Sequence, residues 1–159
     1  MDVEERKQLI AQYRDGYAAI AAVLLKITPE ELAAKAGPGR WSTREILHHL
    51  ADSEMTAAVR LRLLLAQDRP TIHGYDQDEF ARKLHYERPH ETSLELFRWA
   101  REATAELLEL LTPEEWLRRG THSDAGAFGV EAWLKTYAGH AHRHARQISE
   151  ARLAARKEP

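Results

Sequence analysis

Helix-opening signals recur along this chain, and between them apolar residues return every three or four positions, a combination that admits helices and little else. Thr28-Pro29-Glu30-Glu31 supplies an N-cap, a first-turn proline and the glutamate of a capping box. Ser42 and Glu45 repeat the capping-box spacing, and Thr112-Pro113-Glu114-Glu115 repeats the Thr-Pro-Glu-Glu start. The flanks of the two Thr-Pro-Glu-Glu segments do not match, so they are two uses of one helix-start signal and not an internal duplication. The pattern predicts long helices over residues 3–26, from Ser42 to about Gln67, from Thr92 to about Leu111, and over 130–155. Gly37-Pro38-Gly39 stops the short helix that Thr28 opens, and another short helix is expected around 77–84 in the mixed connection 68–91. Gly120 to Gly129 reads as an irregular loop, and Arg156-Lys157-Glu158-Pro159 as a fraying end. No segment alternates as a strand does. The expectation is an all-α four-helix bundle in a single domain, residues 1–159. Several connections exceed a tight turn, so a simple up-and-down order is not required.

At 159 residues with 43% apolar content, the chain can bury one substantial core. Its 30% charged residues sum to a net charge of -2, without the basic excess that advertises nucleic-acid binding. There are no cysteines, which excludes disulfides, thiolate zinc sites and cysteine nucleophiles together. Met1-Asp2-Val3-Glu4-Glu5-Arg6-Lys7 lacks an apolar signal core, and no run approaches the roughly 20 apolar residues of a membrane span. These features lead to the expectation of a cytoplasmic protein without membrane or nucleic-acid partners.

Nine histidines are distributed unevenly. His140 and His144, in Gly139-His140-Ala141-His142-Arg143-His144, stand four residues apart and are therefore neighbours on a helix surface. Against the stripe Val130, Trp133, Leu134, Tyr137, Ala141 and Ile148, His144 falls inside and His140 at the edge, with Gln147 nearby. His142 points to the other side. In the second helix the stripe is Ile46, Leu47, Leu50, Ala57, Ala58, Leu61, Leu64 and Leu65. His49 borders it, while His48 lies farther round, at about 150° from its centre. His73, His85, His90 and His122 lie in or near connections and are expected to be exposed. A single inward histidine is more often a hydrogen-bonded core residue than a ligand. Two at chelating spacing favour a metal, and an ordinary imidazole would release it as pH falls through about 6.5.

Glu45, four residues before His49, and Asp52, three after it, are candidates to accept its second ring N–H, although a solvated charge is the commoner role for each. Glu54 falls on the apolar face. There it either lines a polar cavity or shows that the helix is rotated from this placement. Trp41, Trp99, Trp116 and Trp133 are expected to anchor the core and helix junctions.

Three segments carry a resemblance. Gly39-Arg40-Trp41-Ser42-Thr43-Arg44-Glu45-Ile46-Leu47-His48-His49-Leu50-Ala51-Asp52-Ser53-Glu54 resembles the first signature of the DinB/YfiT-like family of metal-dependent hydrolases. Gly139-His140-Ala141-His142-Arg143-His144-Ala145-Arg146-Gln147-Ile148 is similar to its C-terminal signature, and Pro70-Thr71-Ile72-His73-Gly74-Tyr75-Asp76 to the YfiT branch. The resemblance implies a four-helix bundle in which His49, His140 and His144 hold one divalent ion, commonly zinc or nickel, often in a homodimer. It also implies a small-molecule substrate. The best-understood members of the superfamily join a low-molecular-weight thiol (bacillithiol, mycothiol or glutathione) to an electrophile. Glu54 departs from the branch, where another histidine is expected.

Thiol transfer is favoured, with hydrolysis the alternative within the family. A thiolate or a hydroxide could each be generated beside a three-histidine ion, so the two reactions need almost the same protein. A non-catalytic metal-binding or small-molecule-binding stress-response module is the rival class. Three recognisable ligands instead of four argue against a closed structural site.

Overall fold

The computed structural model describes residues 1–156. Its elements are α1 (Val3–Leu24), α2 (Pro29–Ala33), α3 (Thr43–Ala66), β1 (Thr71–Ile72), α4 (Gln77–Lys83), α5 (Glu91–Glu109), α6 (Pro113–Trp116), β2 (Arg119–His122), β3 (Gly126–Gly129), α7 (Val130–Ala138) and α8 (His140–Ala155). The helix starts read from local signals are the ones used. Thr28, Ser42 and Thr112 each form a two-way capping box with Glu31, Glu45 and Glu115, satisfying backbone N–H groups that have no partner within the helix. The third long helix begins earlier than expected, after His90, so Thr92 and Ser93 lie inside it and no side chain caps its start.

Four long helical rods make the bundle, with α7 and α8 end to end as the fourth. Helix α1 packs on α5 and on α7–α8, and α3 packs on the same two partners. Helices α1 and α3 therefore stand on one diagonal, and α5 and α7–α8 on the other. The chain crosses a diagonal twice, from α1 to α3 and from α5 to α7. That is the bundle order which longer connections permit and tight turns do not.

Two apolar clusters fill the interior. Tyr13, Leu61, Leu64, Leu108, Trp133 and Leu134 belong to one; Ile20, Ile46, Leu47, Leu50, Phe97 and Ile148 belong to the other. Between them lies a polar layer. Arg101 from α5, 1% exposed, forms an ion pair with Glu54 of α3, and Tyr13 of α1 donates its hydroxyl to the same carboxylate. Burial pushes the Glu54 carboxyl up, against the pull of Arg101. The guanidinium also donates to the carbonyls of Tyr13, Tyr137 (3.1 Å) and Ala138 (3.5 Å). Gly16 makes room for it, since a Cβ there would sit 2.7 Å from Arg101 Nε and 2.8 Å from Ala141 Cβ.

Several expectations are corrected here. The single helix over 130–155 is two, broken at Gly139. Residues 120–129 are not an irregular loop: β2 and β3 form an antiparallel hairpin turned through Gly126 at φ +73°, and β1 adds in parallel, Thr71 opposite Thr121. These strands are short and carry no apolar alternation, so period-two reading has nothing to detect. Trp99 is 58% exposed and lies outside the core, whereas Trp116 and Trp133 are buried. Arg156 caps α8 and pairs with Glu31, so it does not fray; Lys157, Glu158 and Pro159 lie outside the described residues.

Candidate metal centre

Three histidines meet at one point on the bundle. His49 projects from α3, two turns after its capping box; His140 is the first residue of α8; His144 follows one turn later. One nitrogen from each ring lies within 4.8 Å of the other two. Ring centroids are 4.6 Å apart for His140 and His144, 4.8 Å for His49 and His144, and 5.4 Å for His49 and His140. His49 is 3% and His144 8% exposed, while His140 is half-buried.

Hydrogen bonding sets the protonation of this triangle. His144 Nδ1 bonds the carboxamide oxygen of Gln147 at 2.8 Å. An oxygen there can only accept, so Nδ1 carries the proton and Nε2 presents a lone pair. That Nε2 faces His140 Nε2 at 3.1 Å. Two imidazole nitrogens around a tetrahedral ion with bonds of about 2.1 Å would stand roughly 3.4 Å apart, so the observed pair is close to chelating distance. His49 Nδ1 is buried with no hydrogen-bond partner among the described residues. A buried polar atom left unpaired is costly, and three imidazole nitrogens gathered within 4.8 Å of one another suit a cation. The residues present therefore fit a divalent ion.

Burial holds all three rings neutral. It lowers His49 to about 3, with His144 adding to the effect, and His144 to about 4. His140 is brought well below its ordinary value by burial, then by the other two histidines. Proton competition inside the folded site thus sets in well below the pH expected of an exposed ring. Between about 6.5 and the folded values, the unfolded chain binds protons that the folded rings refuse. Metal-free protein is expected to keep this contribution above about pH 6.5 and to lose it as pH falls toward 4, by up to ~1.4 kcal/mol per pH unit for each ring. Urea denaturation of chelator-treated protein from pH 4 to 8 measures it, and a flat profile below pH 6.5 would contradict the burial argument.

His142 turns away from the cluster, as its helical position predicts, and its Nε2 bonds the Gln12 carbonyl on α1. His48 departs from its predicted place off the apolar stripe: it is fully buried and bonds Ser93 Oγ at 2.8 Å and the Arg88 carbonyl at 3.0 Å. Every residue of α3 from Ile46 to Glu54 is buried, because the helix is enclosed on all sides and has no solvent face at that level. His90 and His122 are only partly exposed, and His122 packs on Phe128.

The three carboxylates go elsewhere. Glu45 is spent on the Ser42 N–H (2.6 Å) and Lys35, Asp52 on the Tyr86 hydroxyl (2.6 Å), and Glu54 on Arg101 and Tyr13. None bonds a ring of the cluster. The outer partner is instead Gln147, which helical spacing from His144 could have suggested. Sequence reading also missed Trp41, whose ring lies 4.7 Å from His49.

Two clefts open beside the triangle. One of about 210 Å³ is lined by Trp41, Ile46, Gln77, His144 and Gln147. The other, about 230 Å³, is lined by His49, Ser53, Arg60, Tyr75, Tyr137 and His140. The cluster is therefore buried at its base and reachable by a small molecule.

Residues 12–148 match the family model of the DinB superfamily. A protein of Oceanobacillus iheyensis, named "putative metal-dependent hydrolase", is 32% identical over 126 residues, 79% of this chain and 73% of its own length. A protein of Halalkalibacterium halodurans with the same designation is 28% identical over 130 residues, 82% of this chain and 76% of its own. Among solved structures, YfiT from Bacillus subtilis, described as "a probable metal-dependent hydrolase with an unusual four-helix bundle topology", matches with a TM-score of 0.90. The match is 26% identical and covers 97% of this chain and 89% of that one. With a bundle of diagonal crossings, three converging histidines and a family match over most of its length, the chain belongs to the DinB/YfiT-like family.

Proposed function

We propose that His49, His140 and His144 hold one divalent ion, zinc or nickel, and that the site transfers a low-molecular-weight thiol to a small electrophile. The observation that carries this reading is the cluster of three neutral imidazoles within 4.8 Å, buried at its base and open to two clefts. An ion bound by three protein ligands has room for a fourth and would lower the pKa of a thiol or water placed there. Gln147 fixes the tautomer of His144, Trp41 packs on His49, and the low-dielectric base keeps the rings unprotonated. The chain has no cysteine, so the sulfur must come from a free cosubstrate. In the transfer the thiol loses its proton to solvent, the sulfur–carbon bond forms, and the leaving group departs with the electron pair of the broken bond.

Hydrolysis is the second reading, favoured by the designations of the relatives. The test is one assay with two arms. Metal-loaded protein should accelerate conjugation of bacillithiol, mycothiol, glutathione or cysteine to chlorodinitrobenzene, releasing chloride, and chelation should abolish the rate. Silence toward all four thiols, with metal-dependent cleavage of an ester or amide, would move the assignment to hydrolase. Silence in both arms with metal bound would leave a binding module. A cytoplasmic homodimer is part of the same proposal. No helix among the described residues is long and apolar enough to cross a membrane, and Met55 and Val59 of α3 and Leu96 and Trp99 of α5 leave apolar surface uncovered on two neighbouring helices.

A further inference from the structure

Arg60 is the unusual cation of this fold. It is only 8% exposed, yet among the described residues no Asp or Glu oxygen comes within 4.0 Å of it. Buried guanidinium groups are ordinarily paired, because an unpaired charge out of water is expensive. Arg101, the other buried arginine of the interior, obeys that rule through Glu54. Arg60 does not. Its Nη1 donates to the Tyr137 hydroxyl at 3.0 Å, its Nη2 to the His73 carbonyl, and its Nε is buried with no partner. The guanidinium carbon lies 5.6 Å from the centre of the Tyr75 ring.

These bonds hold the group in one place without neutralising it, and that place is beside the histidines. Arg60, His49 and His140 line the same cleft, and Tyr137 links them, bonded to Arg60 at its hydroxyl and packed edge-on against His140 at 6.1 Å between centroids. Asp52, two turns earlier on α3, is committed to Tyr86. Among the described residues Asp124 is the one acid on the cleft wall, at its exposed rim, where it accepts from Ser123 Oγ. A planar guanidinium with free N–H groups in a water-poor wall matches a carboxylate, which it binds through two parallel charge-assisted hydrogen bonds.

We infer that Arg60, held by Tyr137 and Tyr75, is the binding site for a carboxylate on the small molecule that the histidine centre acts upon. The inference rests on the proposed metal site only for the phrase "acts upon"; the carboxylate site itself stands on Arg60. The molecule is thus a short anionic compound that places its reacting group at the histidines and its carboxylate one side chain away.

Two measurements separate the claims. In metal-free, nitrogen-15-labelled protein, the Arg60 Nε–H resonance, assigned by its loss in Arg60→Lys, should shift saturably with propionate and stay still with the neutral isostere propionamide. A resonance that ignores propionate, or follows both probes alike, overturns the site whether or not a metal binds. In cobalt-loaded protein, the sulfur-to-metal charge-transfer band should report 3-mercaptopropionate binding at least tenfold more tightly than 2-mercaptoethanol. Arg60→Gln should erase that preference while cobalt content is unchanged. Equal affinities in the unsubstituted protein would overturn the inference. Failure to take up cobalt would count against the metal reading instead, with the propionate titration still deciding the fate of Arg60.

Discussion

Single replacement of His49, His140 or His144 by alanine is expected to strip the protein of its divalent ion, with affinity falling by well over the 10–100-fold typical of losing an outer-shell partner. Each ring supplies one of three nitrogens that converge within 4.8 Å, and among the described residues no Asp or Glu side chain bonds a ring of the cluster and stands ready to substitute. Gln147→Leu should show the milder, outer-shell effect of about 10–100-fold, since it releases the tautomer of His144 without removing a ligand. His142→Ala should retain a full complement, its ring being turned to Gln12. His48→Ala should also retain metal but lose stability, because a buried ring with two hydrogen bonds disappears. Metal content by elemental analysis, beside a urea melt of each variant, reads both effects. Loss of metal in His142→Ala with retention in His144→Ala would refute the assignment.

Arg101→Met is expected to have the largest effect on stability, about 3–5 kcal/mol, because it leaves the Glu54 carboxylate buried without its countercharge. Glu54→Gln removes the opposite partner and should cost a similar amount. The double variant Arg101→Met, Glu54→Leu should recover much of the loss, since replacing a buried pair by apolar residues is often neutral. Arg101→Met should also weaken metal binding. The guanidinium donates to the carbonyls of Tyr137 and Ala138 at the end of α7, and His140 begins the next helix two residues on. Equilibrium urea denaturation with a parallel metal titration checks this. An Arg101→Met protein within about 1 kcal/mol of the original would show that the polar layer is not what holds the bundle centre together.

Helix α7 ends in the polar layer, where Arg101 stabilises the end by donating to the carbonyls of Tyr137 and Ala138. A helix continuing past Gly139 would need those carbonyls for its own ladder. Breaking it there lets α8 start at His140, so that the first two turns of α8 carry His140 and His144 toward His49 on α3. The departure at Glu54 acquires a meaning in the same terms: its carboxylate is a structural countercharge at the bundle centre and makes no hydrogen bond to the histidine cluster.

What the sequence alone determined is what short-range chemistry decides. Capping boxes at Thr28, Ser42 and Thr112 act over three residues, so the helix starts they mark were legible before any tertiary contact was known. The spacing of His140 and His144 is likewise local, and a helix of either length brings those rings together. Choosing His49 over His48 was within reach only by a modest angular margin, and the same analysis misjudged His48, because α3 is enclosed by neighbours that a helical wheel does not contain. Tertiary structure decided the rest. A lone glycine at 139 weakens a helix by only about 1 kcal/mol, too little to mark a break, whereas Arg101, far along the chain, supplies donors for the carbonyls that the break exposes. The partners of Asp52 and Glu54 are Tyr86 and Arg101, neither of which stands within one helical turn of the residue it binds. The cleft around Arg60 exists only because the segment after β1 folds across α3, bringing His73 and Tyr75 to it. Polar groups seek partners through space, and a charge too costly to leave unpaired is resolved by whichever neighbour the fold provides.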